Sequence, residues 1–132
     1  MTVLSTYVEI NGTRYLAQII GRLNDHDWDD RESKTITIEE TYENVVNIFV
    51  DDVQWNIIQE YEEMTEQYDE NGDVVVNDEG APIFVSVIKE NIYDNSEYSI
   101  SGDITDHRDG RVSVKMGKPT AAELLSILEE VL

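Results

Sequence analysis

The sequence predicts an α+β fold: a largely antiparallel sheet of about six strands, with one short internal helix and a C-terminal amphipathic helix packed on it. Three observations predict it. An Asn-Gly dipeptide sits between two runs rich in β-branched and aromatic residues. Apolar runs of strand length recur between clusters of Asp, Asn and Gly. The C-terminal segment repeats apolar side chains at helical spacing behind a capping signal.

The first element is a hairpin. Residues 7–10 and 13–20 flank Asn11-Gly12, the dipeptide suited to a type I′ turn because both central positions need positive φ. A two-residue loop pairs Ile10 with Thr13, Glu9 with Arg14 and Val8 with Tyr15, which sets opposite charges across the strands. Asn11-Gly12-Thr13 is also a glycosylation sequon in form, and the turn is the preferred reading. A polar loop over 24–33 leads to a short strand over 35–38. Thr41 then caps a helix over 41–50, with Tyr42, Val45, Val46 and Phe49 at helical spacing. Residues 55–61 read as a strand. Turn clusters at 69–72 and 77–80 bracket a strand over Val74, Val75 and Val76, and residues 83–88 form another.

Two further strands, 98–104 and 112–116, surround the turn Asp106-His107-Arg108-Asp109-Gly110. In the last element Thr120 and Glu123 form a capping box. Ala121, Leu124, Leu125, Leu128 and Val131 make one apolar stripe along a helix over 121–132, expected to pack on the sheet, with partner binding as the alternative. One internal echo is visible: Gly21 to Asp27, running on to Arg31, resembles Gly102 to His107, running on to Arg111.

A chain of 132 residues fits one domain, 1–132, and its 40% hydrophobic content supports a core. Net charge is the unusual quantity, with 29 acidic residues against 9 basic ones giving −20. That balance argues against direct binding of nucleic acid or an anionic membrane, since either demands a cationic face. With no cysteine, disulfides and thiolate chemistry are excluded. No basic region followed by an apolar run opens the chain, and no apolar stretch approaches the roughly 18 residues of a membrane span. The expected location is inside a cell, or in a particle assembled there.

The charge is unevenly placed. From Thr35 to Ile88 there are 14 acidic residues and no lysine or arginine. The candidate contact residues are Glu39, Glu40, Glu43, Asp51, Asp52, Glu60, Glu62, Glu63, Glu66, Asp69 and Glu70. Such a stretch can imitate a phosphate backbone and occupy the basic groove of a nucleic-acid-binding protein, or serve as a solvated surface that keeps the chain soluble.

Catalytic templates are missing, so no enzyme activity is expected. There is no P-loop, Gly-x-Gly-x-x-Gly, His-Glu-x-x-His or Gly-x-Ser-x-Gly. The two histidines, His26 and His107, stand in turns among aspartates. No cofactor is expected, with calcium as a weaker alternative: Asp25, Asp27 and Asp29 alternate like the opening ligands of a calcium loop. Asp30 then occupies the position that needs glycine, and Ile36 the one that needs glutamate. Asp69-Asn71-Asp73 starts another such series and fails at Val74 and Gly80.

Val8-Glu9-Ile10-Asn11-Gly12, Asp27-Trp28-Asp29-Asp30-Arg31-Glu32-Ser33-Lys34, Phe49 to Trp55, and the run from Tyr93 through the Asp106–Gly110 turn to Lys118 resemble a group of small bacteriophage and prophage proteins of Gram-positive bacteria. That group carries a glycine after Asp-Trp-Asp where this chain has Asp30. The resemblance implies a phage gene product located in the host cytoplasm or on the virion. It would be an early protein that blocks a host defence, or an accessory of the virion or tail. Its partner would be a host or phage protein with a basic surface, or a further copy of itself.

Overall fold

The computed structural model describes residues 2–131, with side chains for 2–130. The fold is α+β. Seven strands, β1 (Thr2–Ile10), β2 (Thr13–Asp25), β3 (Arg31–Glu39), β4 (Asn56–Glu66), β5 (Phe84–Asp94), β6 (Ile100–Asp106) and β7 (Arg111–Gly117), form one antiparallel sheet in the order β5-β4-β1-β2-β3-β7-β6. Two helices, α1 (Tyr42–Ile48) and α2 (Ala121–Val131), complete it.

The opening hairpin has the expected register, Ile10 with Thr13, Glu9 with Arg14 and Val8 with Tyr15. Asn11 and Gly12 take φ of 52° and 79°. Most strands run longer than the apolar patterns did. β2 continues past Ile20 to Asp25 and β3 begins at Arg31, so the predicted loop over 24–33 contracts to residues 26–30. Ladder hydrogen bonds belong to the backbone, and polar side chains ride on the open face.

β2 serves two neighbours. Its first four residues pair with β1, and from Ala17 onward it pairs with β3. Val8, Ile10, Ala17, Ile36, Ile38, Ile57, Val112, Val114 and Met116 form the sheet's contribution to one core, completed by Val45 and Phe49 around α1 and by Trp55 and Tyr98. Thr41 caps α1 by accepting the Asn44 N–H at 3.2 Å. The Trp55 ring meets Tyr98 edge-on at 6.3 Å, and its Nε1–H donates to the Tyr98 carbonyl at 3.2 Å. This satisfies the one polar atom of a buried indole.

Two expectations are corrected. Residues 74–76 do not form a sheet strand. Only isolated bridges occur there, Tyr68 with Val74 and Val76 with Pro82, because the segment is folded into a tip at the end of the β4–β5 hairpin. Nor does α2 pack on the sheet: Leu124, Leu125, Ile127 and Leu128 are each more than half exposed. The capping box is present, with Thr120 N–H on Glu123 at 2.8 Å and Glu123 N–H on the Thr120 hydroxyl at 3.2 Å. Periodicity defined the helix but not its cover. Val131's side chain and Leu132 lie outside the described residues.

The β4–β5 hairpin is an arm. Its strands pair without interruption from Asn56↔Asp94 to Glu66↔Phe84, whereas β1 covers β4 only as far as Glu62. At its tip three residues hydrogen-bond in a ring: Gln67 N–H to Ile83, Ile83 N–H to Val75 and Val75 N–H to Gln67, at 2.8–2.9 Å. Two matching turns join them. Asp69 accepts the N–H groups of Asn71 and Asp73, and Asn77 those of Glu79 and Ala81. Gly72 and Gly80 hold φ of 82° and 83° at equivalent places, where any side chain would be strained.

Candidate functional site

The arm gathers six of the candidate contact residues, Glu60, Glu62, Glu63, Glu66, Asp69 and Glu70. It adds Asp73, Asp78, Glu79 and Glu90, so residues 60–90 hold ten carboxylates against one cation, Lys89. Strand alternation sets Glu60, Glu62 and Glu66 on one face and Glu63 on the other. Glu63 bonds Lys89 at 2.9 Å, which holds its carboxyl below the usual range. Glu62 accepts the Ser86 hydroxyl. Glu60 faces Glu90 directly across the strands, and Arg14 neutralises that like-charge pair by bonding Glu90. Glu90 was not among the candidates because it lies beyond the lysine-free stretch. Hairpin pairing of the two apolar runs would have brought it opposite Glu60.

The other five candidates sit elsewhere, so the predicted surface divides. Glu39 closes β3 opposite Arg111. Glu40 accepts the Thr41 N–H and the Asn44 amide, both at 2.8 Å, and Glu43 stands in the first turn of α1. These positions suit a helix N-terminus, where partial positive charge favours carboxylates. Asp51 accepts the Ser101 N–H at 2.8 Å, and the Asp52 N–H bonds the Ser99 carbonyl at 2.7 Å. Both join the turn after α1 to the segment entering β6.

The three aspartates of the calcium reading are not brought together. Asp25 is fully buried and its carboxylate is committed, to Lys115 at 2.9 Å and to Ser33 at 3.0 Å. The bond from Lys115 holds its pKa below the usual aspartate range. Asp29 leans on Arg31 at 3.5 Å, while Asp27 offers only an exposed side chain. Asp69 spends one oxygen on its own turn. Among the described residues no group of three or more metal-ligating side chains converges.

The segment 25–31 is instead a packed hub. The Trp28 ring lies against Gly102 and Gly117, where an added Cβ would come within 2.6 and 2.8 Å of it. Buried Arg31 stacks at 4.7 Å from the Trp28 ring centre and grips Glu123 of α2 with two bonds of 2.6 and 3.2 Å. The internal echo falls on the two hairpins of this half of the sheet, β2–β3 and β6–β7, and both turns use their aspartate alike. Asp25 accepts the Asp27 N–H and Asp106 the Arg108 N–H. His26 bonds Asp30 at 2.5 Å in an exposed turn, and His107 bonds the Ser113 hydroxyl at 2.7 Å.

An open cleft of about 620 Å³ lies where β1 and β2 part. Val3, Leu4 and Leu16 line it with Arg14, Glu39 and Arg111. No helix among the described residues is long and apolar enough to cross a membrane. The chain matches no family model, no curated protein and no solved structure.

Proposed function

We propose that this protein is a non-catalytic binding module whose acidic β4–β5 arm docks on a basic surface of a partner protein. One observation carries the reading: ten carboxylates and a single lysine share the stretch 60–90, on an arm that extends past the cover of β1. Carboxylates held this close repel one another. A cationic partner relieves that repulsion and gains long-range steering. A row of carboxylates also presents the negative charge that the basic grooves of nucleic-acid-binding proteins recognise, so such a protein is the favoured class of partner.

The phage resemblance supplies a setting, interference with a host defence protein in the host cytoplasm. Asp30 is where the chain departs from that group. It holds φ of 58°, a conformation that a glycine adopts without strain, and a glycine stands there in the resembling group.

The test is capture from host lysate at low and high salt, followed by affinity measurement with the purified basic partner. Reversing Glu66, Glu70, Asp78 and Glu79 to lysine should weaken binding at least about tenfold and flatten its salt dependence. Unchanged affinity would sink the reading. The exposed leucines of α2 favour a second reading, an accessory of a phage virion or tail held by apolar contacts. In that case Leu125→Ser with Leu128→Ser abolishes association and the charge reversals matter little.

A further inference from the structure

We propose that β5 is a dimerisation edge: two copies of this chain pair antiparallel, β5 against β5, about a two-fold axis through Ile88. The edge is open, since among the described residues β5 has β4 on one side and no strand on the other. It is also long and regular, running from Phe84 to Asp94 against β4 without a bulge and without proline. Such an edge is a template for another strand unless it is blunted.

The backbone supplies the donors and acceptors. Ladder bonds between the arms of the hairpin fall at Trp55–Asn95 and Gln67–Ile83, both odd-numbered rows. Antiparallel rows alternate between bonded and non-bonded, so the N–H and C=O groups of Phe84, Ser86, Ile88, Glu90 and Ile92 point away from β4. Those same five residues share one face of the sheet. Phe84, Ile88 and Ile92 are 55%, 63% and 59% exposed.

Their alternation of apolar and polar residues is symmetric about Ile88. With the axis there, Phe84 meets the second copy's Ile92, Ile88 meets its twin, and Ser86 meets Glu90. On the other face Val85 meets Asn91 and Val87 meets Lys89. No like charges oppose each other in that register, and every exposed apolar residue of the bonded rows finds an apolar partner. Moving the axis to Lys89 or to Glu90 sets two identical charges face to face, which is destabilising. Moving it to Val87 puts Phe84 against Glu90, and moving it to Ser86 shortens the overlap. The side chains thus choose the second copy and its register. Docking would extend the row Leu16, Tyr7, Ile58, Ile92 with the second copy's Phe84.

The inference does not depend on the acidic-arm reading, and salt separates the two. Each copy carries −20, so screening should tighten the dimer while it weakens a contact with a basic partner. The full chain is examined by sedimentation equilibrium at about 1–200 μM, a span that covers weak to moderate association. Twice the chain mass, strengthening with added salt, is expected, and Ile88→Lys should return the monomer.

The chain has no cysteine, so single cysteines report the register. Twinned residues in a bonded row stand about 5.5 Å apart at Cα, within disulfide reach. Mild oxidation should cross-link Ile88→Cys, leave Phe84→Cys single, and cross-link the Phe84→Cys/Ile92→Cys pair. Circular dichroism confirms that each variant is folded. A monomer across the whole concentration range, or equal cross-linking of Ile88→Cys and Phe84→Cys, overturns the proposal and leaves the edge to a strand from a different protein.

Discussion

Arg14 and Glu90 form a two-pronged ion pair, Nη1 to Oε1 at 2.5 Å and Nη2 to Oε2 at 3.1 Å, although β1 and β4 lie between their strands. The same guanidinium also reaches Glu9 at 3.2 Å. Strand twist makes this contact. It brings one diagonal of the sheet together on one face, and the planar fork of arginine spans the gap. Tyr7 and Ile58 pair between the two residues on that face. Ile58 is fully buried there although it stands apart from the main core cluster.

Breaking the pair should loosen this face. Arg14→Ala and Glu90→Gln should each lower the melting temperature, and the double variant should lose less than the sum of the two. The Arg14 bond holds the Glu90 carboxyl below its usual range, so its stabilisation is present above that range and is lost as pH falls through and below it. Melts of the four proteins at about pH 7 and about pH 3 check both statements. Strict additivity at pH 7 would contradict the coupling.

Asp25 is the buried charge most exposed to mutation. Asp25→Ala leaves Lys115 without its buried partner, and the cost should be about 2 kcal/mol in urea unfolding. Removing one member of a fully enclosed pair costs roughly 3–5 kcal/mol, and Lys115 keeps some contact with water. The depressed pKa of Asp25 places its contribution above the ordinary aspartate range. Stability of the parent protein should therefore fall on acidification below about pH 4, and that of Asp25→Ala should fall less.

Gly102 and Gly117 leave space for Trp28. A methyl group at either position would approach the indole far inside van der Waals contact. Gly102→Ala and Gly117→Ala should each destabilise by about 1–3 kcal/mol, the usual cost of overpacking, and should alter the near-ultraviolet dichroism of Trp28. Ala substitution at Gly21, where only the Lys34 side chain lies nearby at 4.0 Å, serves as the control with little effect.

α2 is held by its first turn, not by its leucines. Leu125→Ser with Leu128→Ser should leave folding stability within about 0.5 kcal/mol, measured by thermal melting. Glu123→Gln should lower it, because buried Arg31 loses its carboxylate. That bond sets the Glu123 pKa at about 2, so its stabilisation is present above about pH 4 and disappears as pH falls through 2.

Much of this fold was legible because its signals are local. Asn11-Gly12 dictated a turn and a register that hold residue for residue. Thr41 and Thr120 announced both helix starts, since capping bonds span only three residues. The candidate surface was legible in part. The lysine-free stretch picked out Glu60, Glu62, Glu63 and Glu66, which the arm gathers, but it could not show that Asp51 was committed to Ser101 or that Glu90 belonged with Glu60. Those facts depend on which distant strand lies alongside.

By itself the sequence determined the mixed α and β class, the hairpin register, the caps and the concentration of negative charge, all consequences of interactions within a few residues. Only the tertiary structure decided that β2 divides its pairing between β1 and β3, that Asp25 is buried on Lys115, that Trp28 seats on two glycines, and that α2 stays uncovered. Each of these is a matter of burial. Burial belongs to the pair of surfaces that meet, so a pattern along one element states which face is apolar but not what comes to cover it.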